Sequence, residues 1–220
     1  MKLIVGDELG LLKCVDAEKK ILESKYGEIK KNNSVIGIDN LFANKRNILS
    51  VTHQENFYVL DWNDKSIKYN QIINEKYTSQ VVKKGIDSST VFLSSENNNI
   101  DVFQFDSEME ITNYVKFETG IRNLFALKNS SQPNEIFCLN KKTSLQIYDS
   151  LQNKITWKSK NVPNDELDLM VPIWDTDLAQ NKSNPNLFYT STAFGNVRIL
   201  IHLFLYFYIK INICVKLILD

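Results

Sequence analysis

The chain holds 220 residues, 43% of them hydrophobic and 24% charged, with 26 basic and 26 acidic side chains. That is an ordinary globular composition with length for one or two cores. A formal charge of zero supplies no long-range field toward nucleic acid or anionic lipid, so any such contact rests on a local patch.

From the N-terminus, "KLIVG" and "LLKCVD" read as a hairpin across the polar turn GDELG, followed by the more polar strand "KKILES". A short strand, "SVIGI", leads into "NILSV", the turn THQEN (which holds His53), "FYVLD" and the polar "KSIKYN". The order then repeats as "SQVVK", "TVFLS", SENNN, "DVFQFD" and "EITNYVKF", and again as "IRNLFAL", "EIFCL", NKKTS, "LQIYD" and "KITWKS". A fifth hairpin, "NLFYTSTAFGNVRI", opens at Asn186.

The second strand of each full hairpin ends in an aspartate: Asp16, Asp61, Asp106 and Asp149, spaced by 45, 45 and 43 residues. Four-stranded propeller blades recur at roughly 40–45 residues. The fold expected is therefore all-β, an incomplete WD40-type β-propeller over 1–199 with about four blades. A generic β-sandwich is the alternative that hairpins and composition alone would fit. The blade signature is degenerate. Val15, Leu60, Phe105 and Tyr148 precede the four aspartates where Trp is usual, and no Gly-His pair occurs.

The segment "KNVPNDELDLMVPIWDTD", 160–177, breaks the pattern. "VPIWDTDLA" reads as the first strand of the next blade, with Val171, Ile173 and Leu178 on its apolar side and Trp174 in the core between blades. About seven to nine residues, NVPNDELDL, are inserted ahead of it. An insertion between blades projects from one face, where propellers bind partners. Asn161, Asn164, Asp165, Glu166 and Asp168 can accept hydrogen bonds, from a partner or from the loop's own backbone. Pro163 and Pro172 stiffen its two ends.

This stretch resembles the signature of the WD repeat-containing protein 74 family. The shared pattern runs through Lys160-Asn161-Val162, Asn164-Asp165, Leu167-Asp168-Leu169 and Val171-Pro172-Ile173-Trp174-Asp175, thirteen positions of a sixteen-residue window. "GDELGLLKCVD", "TGIRNL" and "TSTAFGNVRI" carry weaker similarity. The resemblance implies a seven-bladed propeller in the nucleolus that assembles the large ribosomal subunit and is removed from pre-60S particles by a AAA-type ATPase. It implies contacts to particle proteins and rRNA, no enzymatic activity and no cofactor, membrane or small-molecule substrate. The partner-binding residues it points to are Lys160, Asn161, Asn164, Asp165, Asp168, Trp174 and Asp175. This chain departs from the family at Pro163 and Met170, where basic residues are usual, and at Leu139-Asn140-Lys141-Lys142, where a Gly-Gly-type turn is usual. Without the resemblance, an interaction adaptor in an unrelated complex fits equally.

From Leu200 the sequence becomes "LIHLFLYFYIKINICVKLILD". Its length would span a bilayer, but Lys210, Asn212 and Lys216 lie within it and buried charge there is costly. Translated intron or a frame error in a gene model is the preferred reading of 200–220, with a real anchor or a divergent strand pair as alternatives. Elsewhere, Cys14 and Cys138 sit in apolar runs and Cys14, Cys138 and Cys214 show no metal-ligand spacing, which reads as core thiols of a reducing compartment. The opening MKLIV is too short an apolar run for a secretory signal. Two histidines, His53 and His202, and no glycine-rich phosphate loop leave little catalytic machinery. Asp165, Asp168, Asp175 and Asp177 could pair to hold a metal or for general acid–base work, yet carboxylates on a polar loop are more often solvated. Asn-x-Ser matches at Asn32, Asn129 and Asn181 are expected by chance in so Asn- and Ser-rich a chain.

Overall fold

A computed structural model describes residues 1–202, apart from 32, 46, 73, 74, 120–123 and 142. The start of the expected "IRNLFAL" strand, Lys142, Cys214 and the tail from 203 onward, with Lys210, Asn212 and Lys216, lie outside the described residues. No helix occurs among the described residues.

Among the described residues, eighteen strands form five antiparallel sheets, each built from neighbours in sequence. They are β1 (Lys2–Gly6), β2 (Leu12–Asp16) and β3 (Ile21–Tyr26); β4 (Val35–Asn40), β5 (Ile48–His53), β6 (Asn56–Asp61) and β7 (Ser66–Ile72); β8 (Tyr77–Lys84), β9 (Ser88–Ser95), β10 (Asn99–Asp106) and β11 (Ile111–Glu118); β12 (Leu124–Asn129), β13 (Glu135–Asn140), β14 (Gln146–Asp149) and β15 (Lys154–Lys158); and β16 (Asp175–Gln180), β17 (Leu187–Thr192) and β18 (Val197–Ile201). The chain divides into two compact units, 1–118 and 119–220, the first holding β1–β11 and the second β12–β18.

The repeat seen in the sequence extends to registry. Each recurring aspartate pairs with the first residue of the strand before it: Lys2 with Asp16, Ile48 with Asp61, Ser88 with Asp106 and Glu135 with Asp149. Toward the following strand, the pairing shifts between the residues two and one before each aspartate. A second shift recurs at the start of β4, β8, β12 and β16. Such irregularities bend a strand and increase its twist; the three four-stranded sheets carry both shifts, the first sheet only the former and the last only the latter.

The aspartates work as turn acceptors. The Asp16 carboxylate accepts from the Glu18 and Lys19 amides, Asp61 from Asn63, and Asp149 from Leu151 and Gln152. Four residues on, Lys20, Lys65 and Asn153 take left-handed φ values of 55°, 59° and 52°, a conformation that a side-chain bond to the backbone helps to hold. The aspartate recurs because the turn requires it.

In the first unit both faces of the β4–β7 sheet are covered. Phe57 and Val59 pack with Val91, Leu93, Phe103 and Phe105 of the β8–β11 sheet, while Tyr58 and Leu60 pack with Leu12. This is why "NILSV" and "FYVL" read as unbroken apolar runs: both faces of those strands are buried. The β4–β7 sheet thus carries an apolar seam on each face. In the second unit, Phe137, Leu139, Leu145 and Ile147 close over Phe188. The strands β3, β7, β11 and β15 turn mostly exposed residues to solvent, as their polar sequences require. Cys14 and Cys138 are buried and free.

Three expectations are corrected. His53 is not in a turn: it ends β5, buried, with Nδ1 donating to the Asn33 carbonyl and Nε2 accepting from the Tyr58 hydroxyl, both at 3.0 Å. The strand expected at "VPIWDTDLA" begins only at Asp175, because Pro172 has no amide to donate to a ladder and its carbonyl is taken by Arg198. Trp174 lies outside the core, 38% exposed. At the other end, β18 runs through position 200 to Ile201, and Leu200 packs on the Phe188 cluster.

Candidate docking finger

The connection between β15 and β16 runs over sixteen residues, 159–174, where the equivalent connections in the other sheets take eight, four and five. Connections beyond about 12–15 residues are uncommon in compact folds and usually carry a role of their own. This one folds back on itself as a finger. Across its neck, Asn161 Nδ2 donates to the Val171 carbonyl at 2.8 Å. Nearer the tip, Asn164 Nδ2 donates to the Asp168 carbonyl and carboxylate at 3.1 and 2.8 Å. At the tip, the Asp165 carboxylate accepts from the Leu167 and Leu169 amides, each at 2.9 Å.

The tip is a turn the protein uses elsewhere. The Asp165 amide donates to the Leu169 carbonyl, the Asp168 amide donates to the Asp165 carbonyl, and Asp168 takes a φ of 58°. The same bonds, side-chain acceptor included, close Asp7–Leu11 with Gly10 at φ 91° and Asp106–Glu110 with Met109 at φ 71°. Thr192–Asn196, with Gly195 at φ 76°, forms it with the threonine hydroxyl as acceptor. Three of these turns join hairpin strands; the one at Asp165 closes a loop.

The finger's base is tied to the β17–β18 hairpin. Arg198 Nη2 donates to the Pro172 carbonyl at 2.9 Å, and the Ala193 amide donates to the Trp174 carbonyl at 2.9 Å. Asp175 points inward: it is buried, accepts from Thr190 Oγ1 at 3.2 Å and lies 3.8 Å from Arg198 Nη1. Burial raises its pKa above the usual carboxylate value, with the Arg198 charge and the Thr190 bond pulling the other way. Asp177, exposed, is instead held low by its hydrogen bond with Lys128.

The residues singled out from sequence thus separate into three groups. Asn161, Asn164, Asp165 and Asp168 are brought together, but their bonds hold the finger's own shape. Asp175 supports its base. Lys160 and Trp174 reach the surface; Trp174 stands edge-on to Phe194, ring centroids 6.5 Å apart, with Lys141 Nζ 5.6 Å from its ring centroid.

Sequence reasoning missed the finger's apolar side chains. Leu167, Leu169 and Met170 are 78%, 59% and 73% exposed, and Phe194 is exposed beside Trp174. The signal in the sequence is the apolar Leu167-Asp168-Leu169-Met170 run inside an otherwise polar segment. Among the described residues no group of histidine, cysteine and carboxylate side chains could hold a metal ion, and no helix is long and apolar enough to cross a membrane. No protein-family model and no curated protein matches the chain.

Proposed function

We propose that the chain is a non-catalytic, WD40-type β-propeller scaffold that assembles the large ribosomal subunit in the nucleolus, docking on the pre-60S particle through the finger at 160–174. The observation that carries this is the finger itself: a loop stapled in one shape by its own polar side chains, presenting three exposed apolar ones. Ordering such a loop costs conformational entropy, and apolar groups held in water gain free energy only when something covers them. The resemblance of this same window to the WD repeat-containing protein 74 family supplies the particle and the AAA-type ATPase that would release the protein. The propeller reading is supported by five sequential antiparallel sheets with repeated registry.

Co-sedimentation of the tagged full chain with precursors of large-subunit rRNA tests the proposal. The native chain is expected in that fraction, and Leu167→Ser with Met170→Ser is expected to leave it. A native chain absent from the fraction but held in another complex would make it an adaptor elsewhere.

A further inference from the structure

Resting on that docking role, we propose that the finger's partner is a protein segment carrying both apolar and basic side chains, and not RNA. The geometry fixes what the tip displays. In each of the four related turns the residue two after the acceptor points to solvent: Leu9, Glu108, Leu167 and Phe194. At the finger this outward position holds leucine, followed by exposed Leu169 and Met170. Four residues on from Met170, within about 14 Å of chain, Trp174 and Phe194 add an exposed aromatic pair.

The charge around these side chains chooses between partners. Asp165, Glu166 and Asp168 are exposed on the tip; within 160–175 the only cation is Lys160, and Lys141 lies beside the Trp174 ring. The fourth acid of that window, Asp175, is buried against Arg198. A phosphate backbone approaching the tip would meet three carboxylates and gain no counterion release from them. A segment bearing lysine or arginine beside leucine-like side chains meets complementary charge at the rim and apolar contact between, the combination that steers association and fixes register. Because Asp165 and Asp168 already spend oxygens on the loop's own amides, Glu166 is the tip carboxylate that holds no such structural bond in the turn.

The test uses the full chain with three labelled probes: an amphipathic peptide of leucine and lysine, its counterpart of leucine and glutamate, and an oligouridylate. The lysine peptide is expected to bind most tightly, more so at low salt. Leu167→Ser with Met170→Ser should weaken it about tenfold or more, the loss typical of removing central interface contacts. Glu166→Lys should weaken it several-fold at low salt and little at high salt. Equal binding of the glutamate peptide, tighter binding of the oligouridylate, or lysine-peptide binding indifferent to these variants overturns the proposal. So does self-association in sedimentation that Leu167→Ser abolishes, which would assign the surface to a second copy. Failure here is separable from failure of the docking role. Variants that leave the pre-60S fraction while the lysine peptide does not bind would refute only the partner chemistry. Variants that stay in the fraction would refute the docking role itself.

Discussion

Replacing Asp165 by alanine should loosen the finger without unfolding the protein. The substitution removes the acceptor for the Leu167 and Leu169 amides, both at 2.9 Å. A net intramolecular hydrogen bond is worth about 0.5–1.5 kcal/mol, and exposure puts these two at the low end, so the local loss is about 1–2 kcal/mol. The Asp165 amide bond to the Leu169 carbonyl then closes a turn without its side-chain support, with Asp168 still required at positive φ. Amide hydrogen exchange at Leu167 and Leu169 reads the effect directly: the two should accelerate about 5–30-fold. Exchange in β13 and β14, and the midpoint of urea unfolding, should stay where they are, because the finger's tip buries nothing. Asp165→Asn keeps an oxygen in the same place and should restore most of the protection. Exchange unchanged in the alanine variant, or asparagine behaving like alanine, would refute the staple.

Trp174→Ala should cost under about 1 kcal/mol in urea unfolding, since the ring is 38% exposed and surface substitutions seldom exceed about half that; a cost of 3 kcal/mol or more, typical of an emptied core site, would restore the core placement. Asp101→Ala should destabilise by about 1–3 kcal/mol, because it strands the buried Tyr77 hydroxyl that donates to the buried carboxylate and removes the acceptor of the half-exposed Tyr114; adding Tyr77→Phe should recover part of the loss, and no recovery would mean the hydroxyl is satisfied otherwise. His53 is held below its ordinary value of 6.5 by burial, with the Asn33 bond opposing, so the unfolded chain takes up a proton first and stability should fall as pH drops through 6.5 toward the lowered folded value. In His53→Gln that slope in the urea midpoint should vanish, and a slope retained would place its origin elsewhere.

Much of the fold was legible because the signals were local. A carboxylate that caps a turn must stand at one place relative to its strands, so Asp16, Asp61, Asp106 and Asp149 mark four of the sheets whatever residue precedes them. Polar outer strands and doubly buried inner ones follow from burial alone. The misplacements at His53 and Trp174 have a different origin. Both were judged by their neighbours in sequence, while burial is decided by distant partners. Tyr58 and the Asn33 carbonyl draw His53 inward, and the bond from Ala193 to the Trp174 carbonyl fixes a backbone from which the indole faces outward.

The finger's polar residues were legible and its apolar ones were not, and the comparison with Asp106–Glu110 shows why. That turn makes the same bonds, yet there the position two residues on is Glu108, the next is Met109, packed against the core, and the one after is Glu110. At the finger these positions hold Leu167, Asp168 and Leu169. The polarity is inverted on an identical frame: the inward-packing position carries a carboxylate, and the outward ones carry leucine. Leu9 and Phe194 show that one apolar side chain at the outward position also occurs in hairpin turns of this frame; the finger differs in adding Leu169 and Met170, exposed apolar side chains that stabilise nothing in an isolated chain. Folding accounts for Asp165, Asn164 and Asn161, whose bonds close the loop, but not for Leu167 or Leu169. Those are the side chains that the proposed partner would cover.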